Sequence, residues 1–300
     1  MIKDKSLIED YLITNILGGL GNQLFCYYSS LSLATNKKLK LFIDNHDYKF
    51  YRKDRGFILD KFNIKFNVVE KDILKEFKYM PLTKLDFYFL NKFKINVFKK
   101  NNKILRENED YNLDEVLGRI KPNSYIQGYL QNVNYLIDVK KIMQREITLY
   151  KTNRVIEQLS RKIRNSNSCS VHVRRGDYLI KPFNSIYNIC SQKYYKNSFE
   201  VVTSKIEKPH YFIFTDDIEW TKKEFNNIEN KTFISDYNLK NYQEFYLLSI
   251  CKNHIISNST FSFIAAWLNY DNNLVIEPKN WFKNKPSGNK LVDGWVKLDN

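Results

Sequence analysis

Two adjacent arginines, Arg174 and Arg175, stand in the run HVRRGDY at residues 172–178. A guanidinium group carries a planar fork of N–H donors that matches two phosphate oxygens, and it stays charged at physiological pH. Neighbouring side chains at a strand end point to opposite faces, so only one arginine can aim fully into a cleft while the other pairs with an acid such as Asp177. The run suits binding of a departing diphosphate. The alternative is an ion-pair network with Asp177 and nothing more.

A second candidate anion site is the run GGLGNQ at residues 18–23, between a predicted strand and a predicted helix. Glycines let the backbone turn sharply and approach a ligand closely. The start of the helix, around Gly21 and Asn22, would offer free N–H donors and a partial positive charge. The spacing fits neither the dinucleotide fingerprint nor the Walker P-loop. A tight strand-to-helix turn without a ligand is the alternative.

Polar residues follow two further predicted strands. Ser259 and Thr260 open a helix, where they can cap its first amides and also hydrogen-bond phosphate oxygens. Helix capping alone is the alternative. Asp216 and Asp217 end another strand and could hold a ribose or orient Arg174.

Metal ligation has no clear pattern in this sequence. Metal-dependent sugar transferases commonly hold Mn²⁺ or Mg²⁺ with a D-x-D pair, and the chain contains none. Its four cysteines include no C-x-x-C pair, and the histidines are not spaced around them as zinc ligands would be. The sequence therefore predicts no metal cofactor and leaves neutralisation of a diphosphate to arginine.

The elements that must position these motifs alternate between strand and helix. Residues 11–17 and 39–44 are predicted strands joined by a helix through about Asn36, which makes a βαβ unit. The second half is predicted to contain strands at residues 169–174, 210–217, 231–235, 254–258 and 274–278, with helices between them. Short apolar strands joined by helices indicate a parallel sheet covered on both faces. The three motifs of this half, RRGDY, TDD and SNST, should then meet at the carboxyl edge of that sheet.

Domain organisation is indicated by a polar stretch, RKIRNSNS, at residues 161–168. It predicts a boundary between domains 1–160 and 161–300, both rich in strands and helices. Residues 47–160 show no clean alternation and give no topology.

Composition narrows the class of protein and its location. The 300 residues have a formal net charge of +15, which suits nucleic acid, an anionic membrane surface or a phosphate-bearing substrate. The lysines are scattered and no nucleic-acid-binding motif is present, so nucleic acid is not expected as a partner. The N-terminus lacks the pattern of a secretory signal, and no apolar run approaches the roughly 18 residues of a membrane span. These features predict a cytoplasmic protein, soluble or peripheral at a membrane.

Taken together, GGLGNQLF, HVRRGDY, FTDD and ISNSTFSFIAAWL resemble the bacterial α-1,2-fucosyltransferases in order and spacing, from about Ile16 to Trp281. The middle motif is also similar to that of α-1,6- and protein O-fucosyltransferases. The resemblance implies an α/β fold of GT-B type, with two facing Rossmann-like domains. It also implies a metal-independent, inverting transfer of L-fucose from GDP-fucose to the 2-hydroxyl of a galactose. The donor would bind mainly to the C-terminal domain, and the acceptor would enter from the N-terminal side.

The resemblance also implies roles for individual residues. Arg174 would grip the β-phosphate, Ser259 and Thr260 would meet the diphosphate, and Arg175 belongs to the same candidate donor site. His172 would lie beside the guanosine, Asp216 at the ribose and Glu244 at the guanine N–H groups, and Asn22 close to the reacting sugar. Two departures from the family pattern, Cys26–Tyr28 and Phe263–Ile264, fall on predicted helix faces.

Inversion passes through an oxocarbenium-like state, so the main catalytic task is to stabilise the charge developing on GDP. Arg174 and the helix start at Gly21 and Asn22 suit that role. The acceptor hydroxyl must also lose a proton, and Asp44, His46 and Asp177 are the candidate bases.

Two other functions remain open at this point. One is fucosyl transfer with another linkage or to protein, and the other is a non-catalytic sugar- or polyanion-binding module. The basic surface also suggests peripheral attachment to an anionic inner membrane, where lipid-linked O-antigen or capsule intermediates would present a galactose-terminated acceptor.

Overall fold

Two parallel β-sheets organise the residues that the structure, a computed structural model, describes, namely 10–50, 56–93, 95–107, 112–269, 273–288 and 291–300. The strands of the first sheet are β1 (Tyr11–Asn15), β2 (Lys40–Asp44), β3 (Ile104–Arg106) and β4 (Ser124–Gln127). The accompanying helices are α1 (Leu20–Asn36), α2 (Lys71–Leu74), α3 (Lys84–Lys92), α4 (Leu113–Arg119) and α5 (Lys140–Glu146). The strand order is β2-β1-β4-β3, with every pairing parallel.

The first sheet confirms the βαβ unit predicted from the sequence and adds two strands that the pattern did not reveal. Helix α1 is buried on most of its faces because it packs against the sheet and the segment that follows β4. Two of its buried serines bond other parts of the first unit, since Ser29 bonds the carbonyl of Leu130 and Ser30 bonds Thr14. β3 and β4 have only three and four residues, too few to show a period in an aromatic, lysine-rich stretch.

The second sheet carries most of the predicted motifs. Its strands are β5 (Asn167–Val173), β6 (Pro209–Thr215), β7 (Lys231–Phe233), β8 (Asn253–Ile255), β9 (Val275–Pro278) and β10 (Val296–Leu298). The helices are α6 (Arg154–Arg164), α7 (Gln192–Lys205), α8 (Ile218–Glu224), α9 (Asn241–Ser249) and α10 (Thr260–Leu268). The order is β10-β9-β8-β5-β6-β7, again all parallel. β5 and β8 therefore occupy the centre, and both are buried along nearly their whole length.

The chain divides into two units, but not at the predicted boundary. The first unit comprises Met1–Asp60 and Ile64–Glu146, and the second unit comprises Lys61–Asn63 and Ile147–Asn300. The predicted boundary after residue 160 falls inside α6, whose Ile156, Leu159 and Ile163 are buried. Arg161, Lys162 and Arg164 lie on the exposed face of this amphipathic helix, and Asn167 already begins β5, so the polar stretch is not a linker. Phe62 belongs to the second unit because its ring packs edge-on against Phe245 at 6.0 Å.

Among the described helices, none has both the length and the apolar character that crossing a bilayer requires.

Candidate active site

Arg174 leaves the centre of the second sheet at its carboxyl edge, directly after β5. Its Nη2 lies 2.7 Å from Oδ1 of Asp177, and its Nη1 lies 2.9 Å from Oδ2 of Asp216. A third of the side chain remains exposed. Two ion pairs occupy only part of a guanidinium with five N–H donors, so Arg174 can still bind an anion. The two carboxylates fix the direction in which those donors point.

Arg175 has a different environment. Its Nε donates to Oδ2 of Asp217 at 3.1 Å, and its guanidinium carbon lies 3.9 Å from the ring centre of Trp220. Both arginines are thus paired with acids, and the acid expected for the second arginine, Asp177, pairs with Arg174 instead. A phosphate contact of Arg175 stays a prediction. In the structure this side chain packs on the ring of Trp220.

Asp216 fixes the backbone of the motif. Its Oδ1 accepts hydrogen bonds from the backbone N–H groups of Arg175 at 2.8 Å and Gly176 at 3.1 Å. A Cβ atom on Gly176 would lie 2.9 Å from Oδ2 of Asp216, so a larger residue there would displace this carboxylate. Of the two tasks considered for Asp216, the structure shows the contact that orients Arg174. The ribose contact stays a prediction.

His172 lies buried beneath the site. Its Nδ1 is 2.8 Å from the hydroxyl of Ser257 and 2.9 Å from that of Ser262, and its ring stacks on Phe261. Burial, with the positive charge of Arg174 adding to it, lowers the pKa of His172 to about 3. The imidazole is therefore neutral and serves as a hydrogen-bonding group, not a charge. Its predicted place beside guanosine is untested, and the two serines that hold it were missed in the sequence.

The segment that opens α10 is anchored by Asn258. Its Nδ2 donates to the carbonyls of Asn188 and Trp281, each at 2.9 Å. Ser259 occupies the N-cap position, but its side chain makes no capping hydrogen bond, so the capping expected of this serine is wrong. Ser259 and Thr260 stay predicted phosphate contacts at the start of a nine-residue helix.

Glu244 lies partly buried on the first turn of α9. Burial, with the negative charge of Asp216 adding to it, raises its pKa to about 7. Within the described residues its carboxylate has no hydrogen-bond partner, and a raised pKa in such a group is typical of a functional site. The predicted guanine contact is untested, but Glu244 shares its surroundings with Asp216.

The glycine-rich loop belongs to the other unit. Gly18 adopts φ +71°, and a Cβ atom there would lie 2.6 Å from Nδ2 of Asn22. Gly21 is buried in α1, and Oδ1 of Asn22 accepts a hydrogen bond from Gln131 at 2.8 Å. The structure therefore groups His172, Arg174, Asp177, Asp216 and Glu244 in one unit and places Gly21 and Asn22 in the other.

A cavity of about 730 Å³ lies at the carboxyl edge of the first sheet. Each strand supplies lining residues at or just after its end, which are Asn15, Asp47, Arg106 with Glu107, and Gln127 with Tyr129. Tyr79, Phe87 and Phe98 add aromatic walls. Ligands of open α/β sheets bind at this edge.

A buried ion pair supports the floor of that cavity. Lys78 and Asp44 are almost fully buried, and Nζ of Lys78 lies 2.6 Å from Asp44 and 3.1 Å from Asp47. Tyr125 donates a further bond to Asp44 at 2.7 Å. Burial favours the neutral acid, but the bonds from His46, Lys78 and Tyr125 outweigh it and hold the pKa of Asp44 below its ordinary value. Lys78 was missed because its partners lie more than 30 positions away.

The candidate bases are now separated by their surroundings. Asp44 is buried and bonded on both oxygens, which excludes it as a base that meets an acceptor. His46 bonds Asp44 through Nδ1 at 3.2 Å and is partly exposed. Asp177 pairs with Arg174, so a role as base stays a prediction for both His46 and Asp177.

In the ranges that the structure describes, no group of three or more His, Cys, Asp or Glu side chains could hold a metal ion.

Comparison with known proteins places this site in a family. The sequence profile of glycosyl transferase family 11 matches residues 11–298. The chain belongs to glycosyl transferase family 11. The resemblance to the bacterial α-1,2-fucosyltransferases is thereby confirmed at the level of the family.

Two relatives in this comparison come from Escherichia coli. An α-1,2-colitosyltransferase is 33% identical over 295 residues, which cover 96% of this chain and 99% of that protein. The O-antigen biosynthesis glycosyltransferase WbnK is 27% identical over 301 residues, covering 94% of this chain and 98% of that protein. This family 11 chain is therefore a glycosyltransferase.

A solved structure supports the fold. The α-1,6-fucosyltransferase NodZ, co-crystallised with GDP, matches with a TM-score of 0.52 and 15% identity, covering 88% of this chain and 96% of that chain. The predicted α/β fold of GT-B type is confirmed, with two parallel sheets.

Proposed function

We propose that this family 11 glycosyltransferase transfers L-fucose from GDP-fucose to the 2-hydroxyl of a terminal galactose, with inversion. The observation that carries the proposal is the geometry of Arg174, held by Asp177 and Asp216 at a sheet edge with donors to spare. Such a preorganised guanidinium stabilises negative charge as it develops on a leaving diphosphate. The family motifs around it supply the choice of GDP-fucose.

Arg174 is proposed to act without a metal ion. A guanidinium fork can bind two phosphate oxygens, which is the task that Mn²⁺ or Mg²⁺ performs in D-x-D enzymes. We expect full transfer activity after dialysis against EDTA. A requirement for Mn²⁺, with activity lost in EDTA and restored by the ion, would contradict this part of the proposal.

The cavity of the first unit is proposed to receive the acceptor. Its charged lining residues are balanced in number, with Asp47 and Glu107 against Lys78 and Arg106. Amide groups and aromatic rings complete the lining, and this mixture suits the hydroxyl groups and apolar faces of an uncharged sugar. The acceptor side thus differs in chemistry from the donor side.

Colitose is a second candidate for the transferred sugar. It is L-fucose without the 3-hydroxyl group, and the relative named for colitosyl transfer is 33% identical over 96% of this chain. A site that hydrogen-bonds the 3-hydroxyl would reject the deoxy sugar, whereas a site with an apolar wall there would accept both.

The deciding experiment offers GDP-fucose, GDP-colitose, GDP-mannose and UDP-galactose with a panel of galactose-ended glycans. Release of the nucleoside diphosphate measures transfer, and linkage analysis of the product identifies the acceptor hydroxyl. We expect GDP release from GDP-fucose and an α-1,2 product. A preference for GDP-colitose would change the proposed donor and leave the proposed mechanism as it is. The absence of transfer from any of the GDP-sugars would overturn the proposed function.

A further inference from the structure

An exposed apolar surface is concentrated in one segment of the first unit. Seven of the sixteen exposed large apolar side chains in the described ranges fall within residues 79–95, with exposed fractions from 50% to 87%. They are Tyr79, Leu82, Leu85, Tyr88, Phe89, Phe93 and Ile95. Clusters of this kind mark interaction sites, whereas single exposed apolar residues need no explanation.

Helix α3 organises this surface, which we name the 79–95 surface. Leu85, Tyr88 and Phe89 have the i, i+3, i+4 spacing that places side chains on one face of a helix. That spacing normally marks the buried face, yet here all three side chains are exposed. Phe87 and Leu90 lie elsewhere on the helix and line the cavity proposed for the acceptor, and Tyr79 and Ile95 line its rim as well as belonging to this surface.

The sequence around these side chains is strongly basic. Residues 79–106 contain six lysines and one arginine, against a single acid, Asp86. That acid is engaged locally, because its carboxylate accepts a bond from the backbone N–H of Thr83 at 2.8 Å. The ammonium group of Lys92 lies within 6 Å of the ring centres of Tyr88 and Phe93, at 5.9 and 5.8 Å. The charge of Lys92 therefore lies directly beside two of the exposed rings.

We propose that the 79–95 surface docks on an anionic lipid bilayer. Leucine and phenylalanine side chains would enter the boundary between headgroups and acyl chains, while the lysines reach the lipid phosphates. A polyanion such as nucleic acid would use the lysines but gain little from Leu82 and Leu85. An interface with a second copy of the chain would favour depletion of lysine, which is abundant here.

The docking proposal connects with the proposed function through the position of α3. The helix that carries Leu85 and Phe89 also contributes Phe87 and Leu90 to the wall of the cavity. A docked 79–95 surface would therefore hold the cavity close to the lipid headgroups. If the acceptor is a lipid-linked glycan, its sugar end would need to travel only a short distance to the cavity.

Vesicle binding tests the proposal without donor or acceptor present. The chain is sedimented with vesicles of phosphatidylcholine alone and of phosphatidylcholine mixed with phosphatidylglycerol. We expect binding to the mixed vesicles that weakens as salt rises. The double variant Leu85→Ser/Phe89→Ser should weaken this binding on the order of tenfold or more, because two apolar side chains lose their burial. The double variant Lys84→Glu/Lys92→Glu should remove the preference for phosphatidylglycerol.

Matched controls come from an exposed segment of the other unit. Tyr150→Ser removes an exposed ring, and Lys151→Glu/Arg154→Glu makes the same change of charge as the lysine variant. Both controls should bind vesicles within about twofold of the parent. All variants should keep the parental Tm, because none of the changed side chains is buried.

Three results would overturn the proposal. The first is no binding to either vesicle, and the second is an equal loss in the control variants, which would indicate diffuse charge attraction. The third is a dimer of the parent that Leu85→Ser/Phe89→Ser dissociates, because the surface would then be covered by a second copy. Transfer of fucose to a soluble galactoside is measured separately from vesicle binding. Docking can therefore fail while the transferase assignment stands, and the transferase assignment can fail while docking stands.

Discussion

The carboxyl edges of the two sheets both carry charged side chains, yet they differ in what those charges can do. At the edge of the first sheet, Lys78 and Asp44 are almost wholly removed from water and bound to each other. At the edge of the second sheet, Arg174 and its partners Asp177 and Asp216 each keep a quarter to a third of their side chain exposed. The first pair is internal to the fold, and the second is open to a ligand.

This difference shows that charge at a sheet edge does not by itself indicate an anion site. A buried, mutually neutralised pair stabilises the floor of a cavity and leaves that cavity suited to an uncharged sugar. A guanidinium with unused donors and partial exposure attracts a diphosphate. Burial, and the number of donors left over after pairing, separate the two edges, and residue type alone does not.

The largest effect is expected from Lys78→Met. The substitution leaves the carboxylate of Asp44 buried without its cation, and breaking such a pair costs about 3–5 kcal/mol of unfolding free energy. Chemical denaturation measures this loss. The matched control is Lys75→Met, which removes an exposed pair with Asp72 and should change stability by less than about 0.5 kcal/mol.

The pH dependence of Lys78→Met sharpens the same comparison. Without Lys78, burial should raise the pKa of Asp44 above its value in the unfolded chain. The loss of stability is then fully present above that folded pKa and shrinks as pH falls toward the unfolded pKa near 4. A deficit that is equal at pH 7 and pH 5 would mean that Asp44 is not the source of the instability.

Arg174→Lys should have the next largest effect, and on turnover instead of stability. Lysine keeps the charge but loses the fork, so kcat with GDP-fucose should fall on the order of 10²-fold while Tm stays near the parental value. Arg175→Lys is the matched control. It loses the stacking on Trp220 and should lower Tm with little change in kcat. If Arg174→Lys lowered Tm and Arg175→Lys lowered kcat, the proposed roles of the two arginines would have to be exchanged.

A smaller effect is expected from Glu244 through pH. Its pKa of about 7 means that the carboxylate, the form able to accept guanine N–H bonds, becomes populated as pH rises. The KM for the donor should therefore fall about tenfold between pH 6 and pH 8. Glu244→Gln should raise KM at pH 8 and flatten this profile.

Glu277→Gln is the control for the pH profile, because burial also raises the pKa of Glu277 to about 7. Glu277 is fully buried in β9, where it accepts a bond from Val292. The donor profile of this variant should match that of the parent. If the pH dependence of KM disappeared in Glu277→Gln and persisted in Glu244→Gln, the proposed guanine contact would be wrong.

Local signals made much of the second unit predictable. β5, β6 and β9 are short apolar runs that end at polar motifs, and the helices between them have ordinary lengths. Parallel strands necessarily bring their carboxyl ends to one edge, so the meeting of Arg174 with Asp216 followed from topology. The partners of His172 did not, because Ser257 and Ser262 contact it across 85 and 90 positions of the chain.

The first unit was less predictable for a physical reason. β3 and β4 are too short to show alternation, and their pairing depends on contacts distant in sequence. In the sequence, Lys78 looks like an ordinary surface lysine, because no residue near it in the chain indicates that it pairs with the buried Asp44. The exposed face of α3 has the spacing of a core helix, so its exposure also emerges only in three dimensions.

The most direct test of the account compares binding of GDP and guanosine to the parent and to Arg174→Lys, by titration calorimetry with competition for the weaker ligand. If Arg174 grips the diphosphate, the substitution weakens GDP binding about tenfold or more and changes guanosine binding by less than about twofold. Unchanged GDP binding in a stable Arg174→Lys protein, or an equal loss for both ligands, would contradict the assignment of this sheet edge as the donor diphosphate site.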